Sequence, residues 1–375
     1  MDIGIDATSL IGPRSGIGRT AACLIEALVA VDEGLEITLT SVGLRTAPVR
    51  RTAGSHPRVR TVRSLPRRVS NVIWSTVDWP PAELFAGHLD VFWGPNVMLP
   101  PLVKAAGVAT IHDLAFIDLP EAIPDEARKD AEKAMKKISR ARRITVPSAF
   151  VAEAIAQRFP DAASRVRVVR PGVRRVFRER GSVLTEPRRD ALGIRDPYAV
   201  SVADLGYREN LETLLRSFDL ARSVHPEAQL VLIGRPEPSW GPIAARRAKI
   251  IDSGSVRLVG SLPEEEVAAI VRGAKVFCYP SRYEGFGIAA LEAMVAGTPV
   301  IAAKTSALPE TLGDHARWVH PDDVEGLAAA ISDHFDGEPE PAALESARSY
   351  AAGFTWADAA LSMLDVFDEA MAEVR

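Results

Sequence analysis

Residues 280–302 read PSRYEGFGIAALEAMVAGTPVIA, and this stretch settles the fold class. The run Lys275–Tyr279 leads into it as a strand. A turn with Gly285 and Gly287 follows, then a helix to about Ala296, then a short strand at Pro299–Ala302. Strand, glycine turn, helix and strand form a βαβ unit, whose two strands run parallel because the helix carries the chain back. The amides of Gly285, Phe286, Gly287 and Ile288 would point out of the helix N-terminus. Unpaired donors at the positive end of a helix dipole suit a diphosphate. Glu284 precedes the helix and Glu292 lies inside it, placed to accept from vicinal hydroxyls of a ribose or hexose. An ordinary capped helix with a favourable N-terminal Glu fits the same spacing.

Outward from this segment, short β-branched runs alternate with amphipathic stretches along the chain. In the N-terminal part, strands are expected at Ile3–Ile5, Leu35–Leu39, Asp90–Trp93, Val108–Ile111, Arg143–Val146 and Val166–Val169. Helices are expected over Ile17–Val31, Glu126–Arg140 and Ser148–Phe159, the last capped by Ser148. The Arg- and Pro-rich stretch 170–197 interrupts the pattern. A second series follows, with strands at Tyr198–Val202, Gln229–Ile233, Val256–Val259 and Lys275–Tyr279. Its helices fall at Asn210–Val224, Pro242–Ile251 and Glu264–Arg272. The expected fold is α/β, with two Rossmann-like, doubly wound parallel-sheet domains facing a deep cleft. Residues 1–180 form the first, 181–355 the second, and a final helix over 356–375 crosses back to the N-terminal domain.

The chain has 375 residues, 47% of them hydrophobic and 25% charged, enough for two cores. No run approaches the ~20 apolar residues of a membrane span, and no secretory signal is visible. Cys23 and Cys278 are too few for a disulfide framework, which fits a reducing, cytoplasmic setting. Charge is uneven: residues 1–180 carry 27 Lys and Arg against 19 Asp and Glu, the remainder 18 against 30. Arg45, Arg50, Arg51, Arg58, Arg60, Arg63, Arg67 and Arg68 crowd one stretch without an acidic residue between Glu36 and Asp78. A mobile loop there would favour an anionic acceptor or a peripheral position at the inner membrane surface; a solvated basic loop is the plainer reading. A nucleic-acid partner is not expected, since the pI is near 6.0 and no binding module is visible.

Two glutamates with seven residues between them, in PSRYEGFG and LEAM, followed by AGTPVI, resemble the signature of family 4 retaining glycosyltransferases of the GT-B fold. GIDATSLIGPRSGIGR resembles that family's first strand and glycine loop, and TIHDLAFIDLPEAIP its strand-end His motif. VPSAF, VVRPGV and LPETLGD agree as well, so the similarity runs from about residue 3 to 335. The resemblance implies a hexose-type sugar moved from a UDP- or GDP-linked donor to an acceptor hydroxyl. Configuration would be retained, with no cofactor and no metal ion. It implies Glu292 on the donor ribose, Glu284 on the transferred sugar, and Phe286, Gly287 and Ile288 amides on the diphosphate. Gly16 and Gly18 belong to the glycine loop, and Gly16 would close on the diphosphate. His112 would stand at the reaction centre.

The chain departs from that family at SVADLGYRENLETLL, residues 201–215. Asp204 and Glu209 occupy positions where the family usually has basic residues that contact the diphosphate. Arg19, Arg208 and Arg235 are the candidate substitutes. The departure also motivates a second reading, a catalytically impaired homologue acting as a binding or partner subunit. A phosphorylase or a sugar-nucleotide epimerase is a third reading, whose signatures are absent.

Overall fold

The computed structural model describes residues 1–11, 15–42, 56–64, 79–179 and 181–373. The chain divides into two compact units, the first comprising Met1–Phe116, Ile123–Gly172 and Thr355–Arg375. The second comprises Ile117–Ala122 and Val173–Phe354, so residues 173–180 group with it rather than with the first unit.

The first unit is a seven-stranded parallel sheet. Its strands are β1 (Asp2–Asp6), β2 (Glu36–Val42), β3 (Val59–Ser64), β4 (Val91–Gly94), β5 (Ala106–Thr110), β6 (Arg143–Val146) and β7 (Val166–Val168). They lie in the order β3-β2-β1-β4-β5-β6-β7. Successive side chains of a strand point to opposite faces, and both faces here are covered. Val91 and Trp93 enter one core with Ile5, Ile25 and Leu39, while Phe92 enters the other with Ile111, Ile144 and Ile155. The helix Gly16–Val31 starts at Ser15, whose Oγ accepts from Gly18 N at 3.1 Å. The expected cap at Ser148 is present too, its Oγ accepting from Val151 N at 3.3 Å.

Strand β3 corrects the expectation of a loop throughout the Arg-rich stretch. Val59–Ser64 pairs in parallel with Ile37–Val42 as an edge strand. Arg58 donates to the carbonyls of Asp32 and Val29 at 2.6 and 2.7 Å. Arg60 donates to Thr38 Oγ1 at 2.7 Å and to the Ala86 carbonyl at 2.8 Å. Long aliphatic stems let these guanidinium groups reach buried-edge acceptors, so a basic residue here serves the fold. Arg45, Arg50, Arg51, Arg67 and Arg68 lie outside the described residues.

The second unit is a six-stranded parallel sheet of β8 (Tyr198–Val202), β9 (Gln229–Ile233), β10 (Val256–Gly260), β11 (Val276–Tyr279), β12 (Val300–Ala303) and β13 (Arg317–Val319). Their order is β10-β9-β8-β11-β12-β13. Val200, Val231 and Phe277 line one core; Ala199, Leu230, Cys278 and Ile301 line the other. Burial pushes the Cys278 thiol up to about 12, which leaves it an unreactive core residue. The expected helix 242–251 is two short helices, Trp240–Arg246 and Ala248–Asp252, and β13 lies beyond the strands expected from the sequence.

The last helix, Trp356–Ala372, packs in the first unit beside Gly16–Val31. Thr355 caps it, and Met363 and Phe367 are fully buried beneath it. Arg143 donates to Glu369 at 2.8 Å and to Glu373 at 2.5 Å from the sheet side. Glu369 is 41% exposed, so solvent screens that pair. In denaturant unfolding of the first unit, Phe367→Ala should cost about 3–5 kcal/mol. Glu369→Ala should cost no more than about 1 kcal/mol. The reverse order would show that ion pairs, not packing, hold this helix.

Candidate functional site

In both sheets the strand order reverses direction beside the first strand of the series, and ligands of such sheets bind beyond the strand carboxyl ends at that point. In the second unit the reversal lies between β8 and β11, and two loops leave it. Residues 203–210 follow β8, and residues 280–287 follow β11. Asn210 ties the loops together: buried, with φ of 59°, it donates from Nδ2 to the carbonyls of Pro280 at 3.0 Å and Pro321 at 2.6 Å. Asn tolerates this left-handed backbone better than most residues. Arg282 N donates to the Arg208 carbonyl at 2.8 Å, a second tie.

The loop after β11 ends in the helix Ile288–Ala296, with Gly287 at its N-cap in the left-handed region (φ 93°). A Cβ there would also collide with Leu308. Among the described residues, the amides of Phe286, Gly287 and Ile288 donate to no protein acceptor. Glu284 is buried at the mouth of this turn. Its N–H donates to Ser306 Oγ at 2.9 Å, its carbonyl accepts from Ala307 N at 3.2 Å, and the Tyr279 hydroxyl bonds its carboxylate. Burial and the neighbouring carboxylates hold the Tyr279 hydroxyl well above its ordinary range, so it stays a donor. Tyr283 donates to Asp118 Oδ2 at 2.9 Å within the same unit.

Glu292, one turn into the helix, is buried and held by a residue that the sequence reading did not single out. Arg174 grips both its oxygens, Nε to Oε1 at 2.6 Å and Nη2 to Oε2 at 2.7 Å. The only sequence signal was the basic run of residues 170–180, which reads as a linker.

Of the three candidate cations, Arg208 is within the site. Its Nη2 lies 3.8 Å from Glu284 Oε2 and its Nε 3.4 Å from Glu209 Oε1. Arg235 stands 3.7 Å from Asp204 at the end of β9, both about half exposed. Arg19 lies in the other unit, exposed on the first turn of Gly16–Val31. Glu209 is buried and its Oε2 finds no partner among the described residues. Glu209 and Glu237 share the space over Gly206, which only a residue without a side chain leaves open. Burial, reinforced by Glu284 and Glu237 against the opposing pull of Arg208, pushes Glu209 up to about 8. Glu237 is raised as well, by burial and by Asp204.

In the first unit, His112 follows β5. Its ring Nε2 lies 2.8 Å from the Pro95 carbonyl, which can only accept, so Nε2 carries the proton and Nδ1 is left as an acceptor. Burial lowers its pKa below 6.5 and outweighs the raising effects of Pro95 and Asp113. Asp113 caps the following turn through Ala115 N at 2.9 Å. A mostly apolar pocket beside His112 is bounded by Trp93, Thr110, Thr145 and Trp356, with Trp93 Nε1 donating to Thr110 Oγ1 at 2.8 Å. Gly16 has open space around it, whereas a Cβ on Gly18 would collide with the Ser9 carbonyl, so the fold itself requires Gly18. Among the described residues, Asp2, His88 and Asp90 come within metal-ligand reach of one another, at the opposite, N-terminal ends of β1 and β4. No described helix is long and apolar enough to cross a membrane.

Two parallel-sheet α/β units with helix-terminus sites at the strand ends define the GT-B class of fold. The chain belongs to the family 4, group 1 glycosyltransferases. The family model described as Glycosyltransferase Family 4 matches residues 14–175, and Glycosyl transferases group 1 matches residues 185–349. The chain is similar to O-antigen chain mannosyltransferase B of Escherichia coli, 28% identical over 251 residues, and the match spans 64% of each chain, less than two thirds of that relative. Its fold is similar to sucrose-phosphate synthase from Thermosynechococcus elongatus, at 21% identity and a TM-score of 0.75 over 100% of both chains. It is also similar to Anabaena HepE, solved in complex with UDP and glucose, at 15% identity and a TM-score of 0.71 over 98% of this chain and 99% of that one.

Because the folded state holds a proton on Glu209 that an unfolded carboxyl releases near 4.5, this residue costs increasing stability from that pH up to about 8. Glu209→Gln keeps the shape without the charge. Its melting temperature should exceed wild type by roughly 2–4 °C at pH 8–9, the shift that about 1 kcal/mol gives in a unit of this size. The two proteins should converge at pH 5. An equal gain at both pH values would show that no buried ionisation is involved.

Proposed function

We propose that this protein transfers a hexose-type sugar from a UDP- or GDP-linked donor to an acceptor hydroxyl, with retention of configuration and without a metal ion. The observation that carries the reading is the helix start at Gly287. Three unspent amides there sit between two buried carboxylates, Glu284 and Glu292. Amides at the positive end of a helix stabilise a diphosphate as it gains charge, which is where the transition state needs help. The UDP and glucose bound by the fold relative HepE support a nucleotide-sugar donor.

In this reading Glu292 accepts from the ribose hydroxyls and Glu284 from a hydroxyl of the transferred sugar. Phe286, Gly287 and Ile288 amides and the Arg208 guanidinium hold the diphosphate. Arg208 supplies the positive charge that Asp204 and Glu209 do not, and a protonated Glu209 at neutral pH does not repel the phosphates. The bond from the anomeric carbon to the diphosphate oxygen breaks as the acceptor oxygen bonds to that carbon. The acceptor's proton passes to the departing diphosphate on the same face, and the protein's part is positioning and charge stabilisation. His112, neutral, offers Nδ1 to a hydroxyl on the first unit's strand ends. Arg58 and Arg60 are committed to backbone carbonyls and drop out as acceptor contacts.

Titration calorimetry with UDP and GDP tests the reading. At least one of them should bind, and Glu292→Ala should weaken it tenfold or more, since a hydrogen bond to a charged group contributes ~1.5–3 kcal/mol. Glu284→Ala should keep most nucleotide affinity and lower turnover by about tenfold to a hundredfold. Wild-type binding and turnover in both variants would remove this mechanism.

A further inference from the structure

We propose that Arg174 is a positioning residue for nucleoside recognition, locking the Glu292 carboxylate in the orientation that receives a vicinal diol. The inference rests on the ribose role of Glu292 given above and adds the residue that makes the role specific.

The geometry is that of a clamp. Arg174 Nε and Nη2 each take one oxygen of Glu292, at 2.6 and 2.7 Å, the planar fork-to-fork pairing that fixes a carboxylate in rotation as well as position. The Arg174 amide adds a longer bond to Oε1 at 3.4 Å. The guanidinium is itself held: Nη1 lies 3.0 Å from Glu264 Oε1, and its central carbon sits over the Phe177 ring, 4.8 Å from the ring centre. Glu292 is buried and Arg174 largely so, with side-chain exposures of 3% and 12%. Each of the three guanidinium nitrogens thus has a carboxylate oxygen within reach, which ties the group to Glu292 on one side and Glu264 on the other.

Each carboxylate oxygen carries two lone pairs, and the Arg174 guanidinium uses one on each, while the amide makes only a long contact to Oε1. The two oxygens keep a fixed spacing that suits two adjacent hydroxyls better than a single one. A Glu on an exposed helix face would have to be ordered by its ligand; here the ordering is complete beforehand, and preorganisation of this kind appears directly in ligand affinity. A lysine in this place would keep the charge but could not span both oxygens.

The experiment compares UDP with 2′,3′-dideoxy-UDP, and GDP with its dideoxy analogue, by calorimetry on wild type, Arg174→Lys and Glu264→Gln. Thermal melts confirm that each variant folds. Wild type should prefer the ribonucleotide roughly tenfold or more. Arg174→Lys should lose most of that preference while its affinity for the dideoxy nucleotide stays at the wild-type value. A merely structural role would lower both affinities together. Should Arg174→Lys fail to fold, Glu264→Gln loosens the guanidinium from the far side and should reduce the preference about threefold. A folded Arg174→Lys or Glu264→Gln with the full wild-type preference overturns the positioning role and leaves the ribose role of Glu292 standing. No ribose preference in wild type overturns both.

Discussion

A parallel sheet closed on both faces confines chemistry to the ends of its strands. The side chains of β4 and β11 point into cores on both sides and are spent on packing. What remains open is the edge where strands stop and helices start, and there the backbone itself is the reagent. The helix that follows Gly287 offers amides that no described residue uses. The loops, the glycines and the buried Asn210 all follow from the need to hold that turn in one place.

Charge at the second unit's site is arranged around scarcity. Asp204, Glu209, Glu237 and Glu284 gather near one guanidinium, Arg208, with Arg235 spent on Asp204 at the rim. Four ionised carboxylates so placed would oppose any dianion. Burial changes the balance by raising Glu209 and Glu237, so the protonated forms persist further toward neutral pH and the local field is less negative than the formula suggests. Glu292 lies apart from this cluster, its two oxygens gripped by the Arg174 guanidinium.

The first unit handles polarity with hydrogen bonds in place of charge. Trp93, Thr110 and Thr145 form a chain at the ends of β4, β5 and β6, with Thr110 Oγ1 and Thr145 Oγ1 2.7 Å apart. His112 beside them is neutral and held in one tautomer by the Pro95 carbonyl. The last helix closes this unit from the far end of the chain, held chiefly by its apolar face and only lightly by the exposed glutamates that meet Arg143 and Arg167.

The alternation of β-branched runs with amphipathic stretches determined the fold class, since each period has one way to bury its apolar side. The glycines of residues 280–302 likewise determined where a turn with open helix amides would form, because that turn is a local matter of backbone angles. The Arg-rich stretch misled: β3 became a strand because an edge ladder needs only a partner, and Arg58 and Arg60 found carbonyls that no local pattern reveals. Arg174 stayed hidden for a similar reason. Its 118-residue separation from Glu292 is closed only when the second unit folds, and in sequence it is one arginine among several in an apparent linker. Tertiary structure alone decided which carboxylates would keep their charge, since ionisation depends on burial and neighbours, and both are properties of the packed chain.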